Sequence, residues 1–482
     1  MKTKSTKQAS EYLGLVAILI LLAGLQLYRL QHLAQPLESI WDNVYLWEWA
    51  RSFGQLDFTT FVADSHHQLR WGNWGFAAIL IKFFSDEVIY YYLATVIPST
   101  IAIGIFCYFA WRHIGVLGAC LFIVFWYYDA LLFRATFQLL PSGAALLPSA
   151  IMLLLLTNLS KRQASNTALL LSLSVTMFWL YGTKETHLAF LPAVAWLMFK
   201  YGGWRAIVIL TAIMLGGYWA ETLFFSSISP DFSPLGRIEA LVNGGQHVKI
   251  MTESNHYVGQ QTQYFDSGIT MRWMASSGVT PVVLFLAFVV SLLVLGKQHD
   301  TSHDETSVQK IIALLIISFF VCSTFFVISI SPLRLGHGLV PRYVTILLPF
   351  GYLLIIVFII EQLNGSPLRY KLAMIALLPF FLAPSIHRYS EYPDISIGKV
   401  SKNYNKFGTL LHKYECVRAK QRSIVMNQLD FIPSSYRGAN MVHMLGNDDN
   451  TVHQPPWFIA KADLSKDCES MYTITRNVTM RY

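Results

Sequence analysis

Long, continuously apolar runs recur along the first 388 residues of the chain and are separated by short polar connections. Many of these runs approach the roughly 20 residues that a helix needs to cross a bilayer. They lack the apolar–polar alternation of barrel strands, and backbone groups in lipid must be hydrogen-bonded internally, so the runs predict helices. We predict about eleven spans, which lie near 11–31, 89–111, 115–131, 141–158, 167–182, 186–200, 205–225, 278–296, 311–330, 343–360 and 371–388.

Basic residues mark every second connection between the predicted spans. If the N-terminus is cytoplasmic, each inside connection contains a lysine or an arginine, as the excess of these residues in cytoplasmic loops requires. These residues are Arg112, Lys161, Arg162, Lys200, Arg205, Lys297, Lys310, Arg369 and Lys371. The first run, 14–28, is not followed by a small-residue cleavage site, so we predict that it is retained as a span.

Three longer segments, 32–88, 226–277 and 389–482, are predicted to be extracytoplasmic. The first contains the aromatic, amphipathic stretch 41–53, which we expect to lie along the membrane interface. It also contains the apolar stretch 72–84, which is too short to span. The tail has charges, turn residues and a short apolar run at 423–432, a composition that predicts a small α/β domain.

The predicted fold class is an all-α polytopic membrane protein with extracytoplasmic interfacial helices and a small α/β tail. Residues 1–388 form the transmembrane domain and residues 389–482 the extracytoplasmic C-terminal domain. Cys416 and Cys468 are the two cysteines of this tail. They predict either a disulfide in an oxidising compartment or two unrelated thiols.

The composition excludes several classes of function. The chain is 54% hydrophobic and 13% charged, about half the charge fraction of a soluble domain. Its formal net charge of +8 is explained by cytoplasmic anchoring residues, and we expect no nucleic-acid partner. The sequence contains no P-loop, no glycine-rich dinucleotide motif, no His-Glu-x-x-His and no paired Cys-x-x-Cys. We therefore predict no nucleotide-driven machine and no cofactor.

Asp42 follows the first predicted span and begins the amphipathic stretch. A carboxylate in this place can act as a general base toward an acceptor hydroxyl or amine. Aspartate before an amphipathic run is also a good helix N-cap, and the residue by itself favours that structural role.

His66, His67 and Arg70 lie close together in the polar segment before the short apolar stretch. Two histidines near Asp64 resemble a metal site, but adjacent side chains rarely converge on one ion. We expect these residues to bind a phosphate or a sugar, with a solvated loop as the alternative.

Further charged residues are predicted to face the same side of the membrane. Lys184 and Glu185 interrupt an apolar stretch and predict a tight external turn, Arg237 lies in the large loop, and Arg342 and Tyr343 begin a predicted span. Such cations could converge on a lipid phosphate. Individually, each is more often an interface anchor or a salt-bridge partner.

Four segments, taken in order, carry a resemblance to a known family. They are Trp41-Asp42-Asn43-Val44-Tyr45-Leu46-Trp47-Glu48-Trp49-Ala50-Arg51; the stretch from His66 to Gly72 with the short helix that ends in Phe83-Phe84-Ser85-Asp86-Glu87; Thr183-Lys184-Glu185; and Arg342-Tyr343 through Pro349. They resemble, respectively, the Asp-Glu-x-Tyr-Tyr-x-x-x-Ala-Arg, His-Pro-Pro to Phe-Gly-x-Ser-Glu, Thr-Lys and Arg-Tyr-x-x-x-x-x-Pro elements of the GT-C membrane glycosyltransferases. The likeness is to the protein O-mannosyltransferase-like and aminoarabinose-transferase-like branch.

This resemblance implies a glycosyltransferase that moves a sugar from a polyprenyl-phosphate carrier to a cell-envelope glycan, lipid or protein. By match of position, Asp42 would deprotonate the acceptor. Arg237, Lys184 and Arg342, with Arg70 behind them, would stabilise the charge on the leaving lipid phosphate. Asn43 stands where the family has glutamate, so no second carboxylate is placed beside Asp42 and we expect no metal. The implied location is a bacterial cytoplasmic (inner) membrane, with the active site on the extracytoplasmic side.

Two other functions stay open at this point. A polytopic transporter or a lipid-linked glycan flippase is expected to have internal repeats and polar residues near the bilayer midplane. The unusual polar residues here are instead predicted to lie at one face of the membrane. A polysaccharide polymerase shares the carrier-lipid substrate, and composition does not distinguish it from a transferase.

Overall fold

A computed structural model describes part of the chain in detail. The described residues are 2–32, 41–58, 69–161, 166–229, 232, 235–238, 280–296, 307–324, 327–330, 333–335, 344–363, 416–419, 441–444 and 471–474.

Helices make up most of the described residues. In chain order they are α1 (Lys2–His32), α2 (Trp41–Gln55), α3 (Trp71–Phe83), α4 (Val88–Ile114), α5 (Val116–Tyr128), α6 (Ala130–Phe137), α7 (Pro141–Ala144), α8 (Leu146–Lys161), α9 (Thr167–Thr183), α10 (Leu191–Ile228), α11 (Thr280–Gly296), α12 (Val308–Thr324) and α13 (Leu348–Leu363). Two 3-10 turns, Glu185–Phe190 and Thr345–Leu347, precede α10 and α13.

Several of these helices are apolar enough to cross a membrane. Within the described ranges, Val88–Ile114, Pro141–Lys161 and Glu185–Ile228 pass on both length and composition, and α5 with α6 passes as a bent pair. Shorter apolar helices lie in α1, α9, α11, α12 and α13. The protein is therefore mostly helical, with several helices able to span a bilayer. The last predicted span, 371–388, lies outside the described residues.

Helix α10 contains a chain reversal at Gly203. The backbone there has φ +61° and ψ −159°, a conformation that is essentially restricted to glycine. Directly after it, Arg205 Nη2 donates to Thr167 Oγ1 at 2.6 Å, at the start of α9. Farther along, Tyr181 at the end of α9 donates its hydroxyl to Glu221 Oε1 at 3.3 Å. The second half of α10 thus runs parallel to α9 and the first half runs back along it, so the two spans predicted here are separate helices.

Helix α1 runs antiparallel to α4. Its first half lies beside the start of α5, because a methyl group added to Gly14 would be 3.2 Å from Val116. Its second half meets the first half of α4, where Gln26 Nε2 donates to Thr100 Oγ1 at 2.8 Å. The N-terminal part of the chain therefore lies at the same end of the bundle as the last turn of α4.

Basic residues collect at this end of the bundle, which we call the basic end. The charges of Lys161 and Glu361 act on His113, and Gln309 donates a hydrogen bond to Glu361. The contacts bring together the last turns of α4, α8 and α13 and the first turn of α12. The basic residues carried by these turns and by the Gly203 reversal include Arg112, Lys161, Lys200, Arg205 and Lys310.

The bend between α5 and α6 was not predicted. The two helices differ in direction by 78°. Asp129 causes a new helix to start there, because its Oδ1 accepts from the backbone N–H groups of Leu131 and Leu132 at 2.9 and 3.0 Å. Tyr352 donates its hydroxyl to the other carboxylate oxygen at 2.7 Å, which joins this corner to α13.

The predicted span 311–330 was wrong at its C-terminal end. Helix α12 ends at Thr324, and β1 (Val327–Ile330) pairs antiparallel with β2 (Leu333–Leu335). The β-branched residues of Val327-Ile328-Ser329-Ile330 favour a strand over a helix. A short hairpin therefore continues the chain where a helix was expected.

Three short strands are described in the tail. β3 (Cys416–Ala419) lies between β4 (Met441–Met444) and β5 (Met471–Ile474), and both pairings are parallel. Parallel neighbours need a crossover connection of about a dozen residues or more, which 420–440 and 445–470 are long enough to supply.

Candidate functional site

Two arginines and two glutamates from four separate segments meet in one buried group, which we call the Arg–Glu cluster. Its members are Arg70, Glu185, Glu221 and Arg237. Arg70 donates to Glu185 Oε2 from Nη2 at 2.9 Å and from Nε at 3.1 Å. Arg237 lies between the two carboxylates, with Nη1 3.4 Å from Glu185 Oε1 and Nη2 3.0 Å from Glu221 Oε2. None of the four side chains is more than 6% exposed.

Close packing of α3 against the end of α9 brings Arg70 within reach of Glu185. A methyl group added to Gly72 would lie 2.7 Å from the backbone of Gly182 and Thr183, and one added to Gly182 would lie 2.6 Å from the Trp71 ring. Only glycine permits these backbones to approach so closely. Arg70 directly precedes α3 and Glu185 directly begins the 3-10 turn after α9, so the ion pair closes this contact.

Glu221 joins Arg237 to two aromatic side chains and was not predicted as a site residue from the sequence. Its Oε2 accepts from Trp71 Nε1 at 2.7 Å and from Arg237, and its Oε1 accepts from the Tyr181 hydroxyl at 3.3 Å. The sequence does carry a signal for this residue. A carboxylate inside an apolar run is costly unless it is paired and is therefore a functional or structural candidate.

Arg237 also contacts several protein groups besides the two carboxylates. Its Nη1 donates to the Tyr181 carbonyl at 2.8 Å, its Nη2 donates to the Leu69 carbonyl, and its guanidinium lies 4.3 Å from the centre of the Tyr181 ring. The side chain is fully buried. These contacts link the start of the large loop, through Arg237, to α9 and to the segment before α3.

The arrangement extends to Lys184. This residue is extended, with φ −167° and ψ 140°, and its side chain is 6% exposed. It separates α9 from the 3-10 turn, as the predicted tight turn requires. Nearby, Thr183 Oγ1 lies 2.7 Å from His187 Nδ1 and donates to the Leu180 carbonyl at 2.7 Å, which stiffens the same turn.

A second ion pair joins two segments of the resemblance described above. Arg51 on α2 lies 2.6 Å from Glu48 and 3.1 Å from Asp86, which lies two residues before the start of α4. The enclosure of Glu48 raises the pKa of its carboxyl, and the Arg51 guanidinium opposes that rise. Trp47, one turn before Arg51, packs edge-on against Tyr91 with ring centres 5.5 Å apart. Helix α2 is thus fixed against α3 and the first turn of α4, at the end of the bundle that holds the Arg–Glu cluster.

Among the predicted site residues, the structure brings together Arg70, Glu185 and Arg237, with Lys184 beside them. Asp42 is the second residue of α2, which begins at Trp41, two residues earlier than an N-cap role for Asp42 predicts. The remaining candidates, His66, His67, Arg342, Tyr343 and Cys468, lie outside the described residues, as does the side chain of Cys416 in β3.

The cluster end of the bundle therefore combines buried guanidinium groups and the neighbouring Lys184 with carboxylates that neutralise part of their charge. In the described part of the chain, no three His, Cys, Asp or Glu side chains are grouped to hold a metal ion. Comparisons with protein-family models, with curated proteins and with solved structures find no significant match to this chain.

Proposed function

We propose that this protein is a membrane glycosyltransferase that moves a sugar from a polyprenyl-phosphate carrier to an extracytoplasmic glycan, lipid or protein. The observation that supports it is the gathering of charged residues from distant segments at one end of an apolar helix bundle. Four of them, Arg70, Lys184, Glu185 and Arg237, belong to the segments or loops that the sequence analysis singled out.

The proposed topology has about eleven spans in a bacterial cytoplasmic membrane, with the basic end inside. Exposed lysines and arginines at that end fit the cytoplasmic side. The cluster end, α2, α3 and the tail then lie outside. The parallel order β4–β3–β5 supports a small α/β tail domain, because parallel strands are usually connected through helices.

In the proposed reaction, Asp42 takes the proton from the acceptor hydroxyl or amine as that group attacks the anomeric carbon. The bond between this carbon and the phosphate oxygen breaks, and the lipid phosphate leaves with its negative charge. Asp42 must come within about 3 Å of the attacking atom when the acceptor is bound. Helix α2 carries Asp42 at the cluster end, where cations are available for the leaving group.

The observed contacts favour different roles for the cations than the resemblance implies. Arg237 already contacts two carboxylates and two carbonyls, so it suits a positioning role. Arg70 and Lys184 are then the better candidates to meet the phosphate, with Arg342 as a further one. An anion near Arg70 would compete with Glu185 for the Arg70 guanidinium. Binding of the anion must therefore be strong enough to offset the weakened Arg70–Glu185 ion pair.

A transfer assay tests this proposal. Membranes that contain the native chain or Asp42→Asn are supplied with radiolabelled polyprenyl-phosphate sugars, and the label transferred to acceptor is measured. We expect transfer by the native chain and a loss of at least about a hundredfold in Asp42→Asn, the usual size of a general-base effect.

Asp57→Asn is the matched control, because Asp57 is an exposed carboxylate two residues after the end of the same helix. It should transfer like the native chain. Equal activity in Asp42→Asn would leave Asp42 as a structural residue only. No transfer from any carrier, with transport of a lipid-linked glycan instead, would favour the flippase hypothesis.

A further inference from the structure

Two buried polar side chains near the Arg–Glu cluster have hydrogen-bonding groups without a partner among the residues that the structure describes. Asn73 is 3% exposed, and neither Nδ2 nor Oδ1 has a hydrogen-bond partner in the described part of the chain. Thr186 is 7% exposed, and its Oγ1 has no partner there either. Buried polar groups are nearly always hydrogen-bonded, so these two need an explanation.

Both residues lie within one turn of the Arg70–Glu185 ion pair, on the two segments that it joins. Asn73 is the third residue of α3 and follows Arg70 by one turn, whereas Thr186 directly follows Glu185. Helical side chains lean toward the N-terminus of their helix, so the Asn73 amide leans toward Arg70. Arg70 Nη2 lies 2.9 Å from Glu185 Oε2, and this ion pair holds the two segments together.

The chemistry of these groups matches a hydroxyl-bearing ligand. The amide of Asn73 offers donors and an acceptor, and the Thr186 hydroxyl offers one of each. Sugar hydroxyls have the same dual character. Arg70, Lys184 and the partial positive charge at the start of α3 favour a negative group beside those hydroxyls. A sugar attached to a phosphate combines both features in one molecule.

We propose that Asn73 and Thr186 bind hydroxyl groups of the donor sugar, next to the place where Arg70 and Lys184 meet its phosphate. This inference rests on the proposed function and deepens it, because it names the residues that recognise the sugar. The sugar hydroxyls complete the hydrogen bonds for which the described part of the chain supplies no partner. Recognition by buried polar groups also makes the site selective, because an analogue without the hydroxyl leaves them unpaired.

The test combines transfer kinetics with thermal stability of the full chain purified in detergent. Thr186→Val and Asn73→Leu should each lower kcat/KM for the polyprenyl-phosphate sugar about tenfold, which is the loss expected for one hydrogen bond. Their thermal unfolding midpoints should stay the same or rise, because an unpartnered buried polar group is replaced by an apolar one of similar size. Asn73→Ala repeats the kinetic measurement with a smaller side chain.

Thr157→Val is the matched control, since Thr157 is 2% exposed and its hydroxyl donates to the Leu153 carbonyl at 2.8 Å. It should leave kcat/KM unchanged. The inference is overturned if the native chain transfers sugar and the Asn73 and Thr186 variants match it in kcat/KM. It is also overturned if those variants lose several degrees of stability while the folded fraction keeps its full activity. A native chain that transfers no sugar would instead remove the proposed function on which the inference depends.

Discussion

The two ends of the helix bundle use the same kinds of charged residue in opposite ways. At the basic end, Arg112, Lys161, Lys200 and Arg205 are exposed. At the cluster end, Arg51, Arg70 and Arg237 are at most 6% exposed, and each contacts at least one carboxylate. Exposed cations suit a polar headgroup region, whereas buried ones must be paired to offset their loss of hydration.

Charge type alone therefore does not identify a site in this bundle. A buried pair is weak evidence for stability, because desolvation of both ions offsets much of their attraction. Removing one partner is nevertheless costly. The Arg–Glu cluster therefore depends on every one of its partners, and substitutions at the two ends should have very different effects.

The largest effect is expected for Glu221→Leu. This change leaves Arg237 with one carboxylate fewer and leaves the Trp71 and Tyr181 donors without their acceptor. Breaking a buried ion pair usually costs about 3–5 kcal/mol. The thermal unfolding midpoint in detergent measures this loss of stability, with Arg205→Ala at the basic end as the control. A similar midpoint for both variants would remove the distinction between the ends.

The close approach of α3 and α9 is tested by Gly72→Ala. The added methyl group would lie 2.7 Å from backbone atoms of Gly182 and Thr183, so the helices must separate, at a cost of about 1–3 kcal/mol. Gly75→Ala is the control in the same helix, because nothing lies within 4 Å of its added methyl group. That variant should gain up to about 1 kcal/mol from helix propensity. Unfolding of both proteins in detergent compares them, and equal stability would argue against tight packing.

The chain reversal at the basic end depends on the backbone of Gly203. Alanine is strained at φ +61° and ψ −159°, and we expect Gly203→Ala to lower stability by about 1–3 kcal/mol. Gly216→Ala in the same helix has open space around the new methyl group and should be neutral or slightly stabilising. The thermal unfolding midpoints of the two variants in detergent measure this difference in stability. A neutral Gly203→Ala would mean that α10 continues through this point without reversing.

The sidedness of the two ends is tested without any expected change in stability. Single cysteines replace Lys200 at the basic end and Leu235 at the cluster end, in a chain whose native cysteines are changed to serine. Leu235 is 60% exposed, so a membrane-impermeant maleimide added to intact cells should reach it. Position 200 should react only after the cells are opened. Labelling of position 200 in intact cells would reverse the proposed orientation.

Much of the helical architecture was predictable from the sequence. The apolar runs gave helices α1, α4, α5 and α8–α13, and the short apolar stretch 72–84 was correctly predicted as a separate helix, α3. The sequence failed where a local preference competed with hydrophobicity. Asp129 starts a new helix after α5, and residues 327–330, three of which are β-branched, form a strand where a continuing span was expected.

The candidate site was predictable only in part. Arg70, Lys184, Glu185 and Arg237 were named from the sequence, because charged residues at the edges of apolar runs are conspicuous. Glu221 was overlooked, although it lies inside such a run, and Asn73 and Thr186 have ordinary sequence contexts. Their burial and the state of their hydrogen bonds depend on neighbours that no local pattern reveals.

The apolar runs are enough to identify a helical protein with several membrane-crossing candidates, because a bilayer requires long apolar helices whose ends carry charge. The sequence also shows that the basic turns alternate with the others along the chain. The pairing of Arg70 with Glu185, and the position of Arg237 between Glu185 and Glu221, follow from the three-dimensional fold. Opposite charges attract at any sequence separation, so the fold alone selects among the possible pairs.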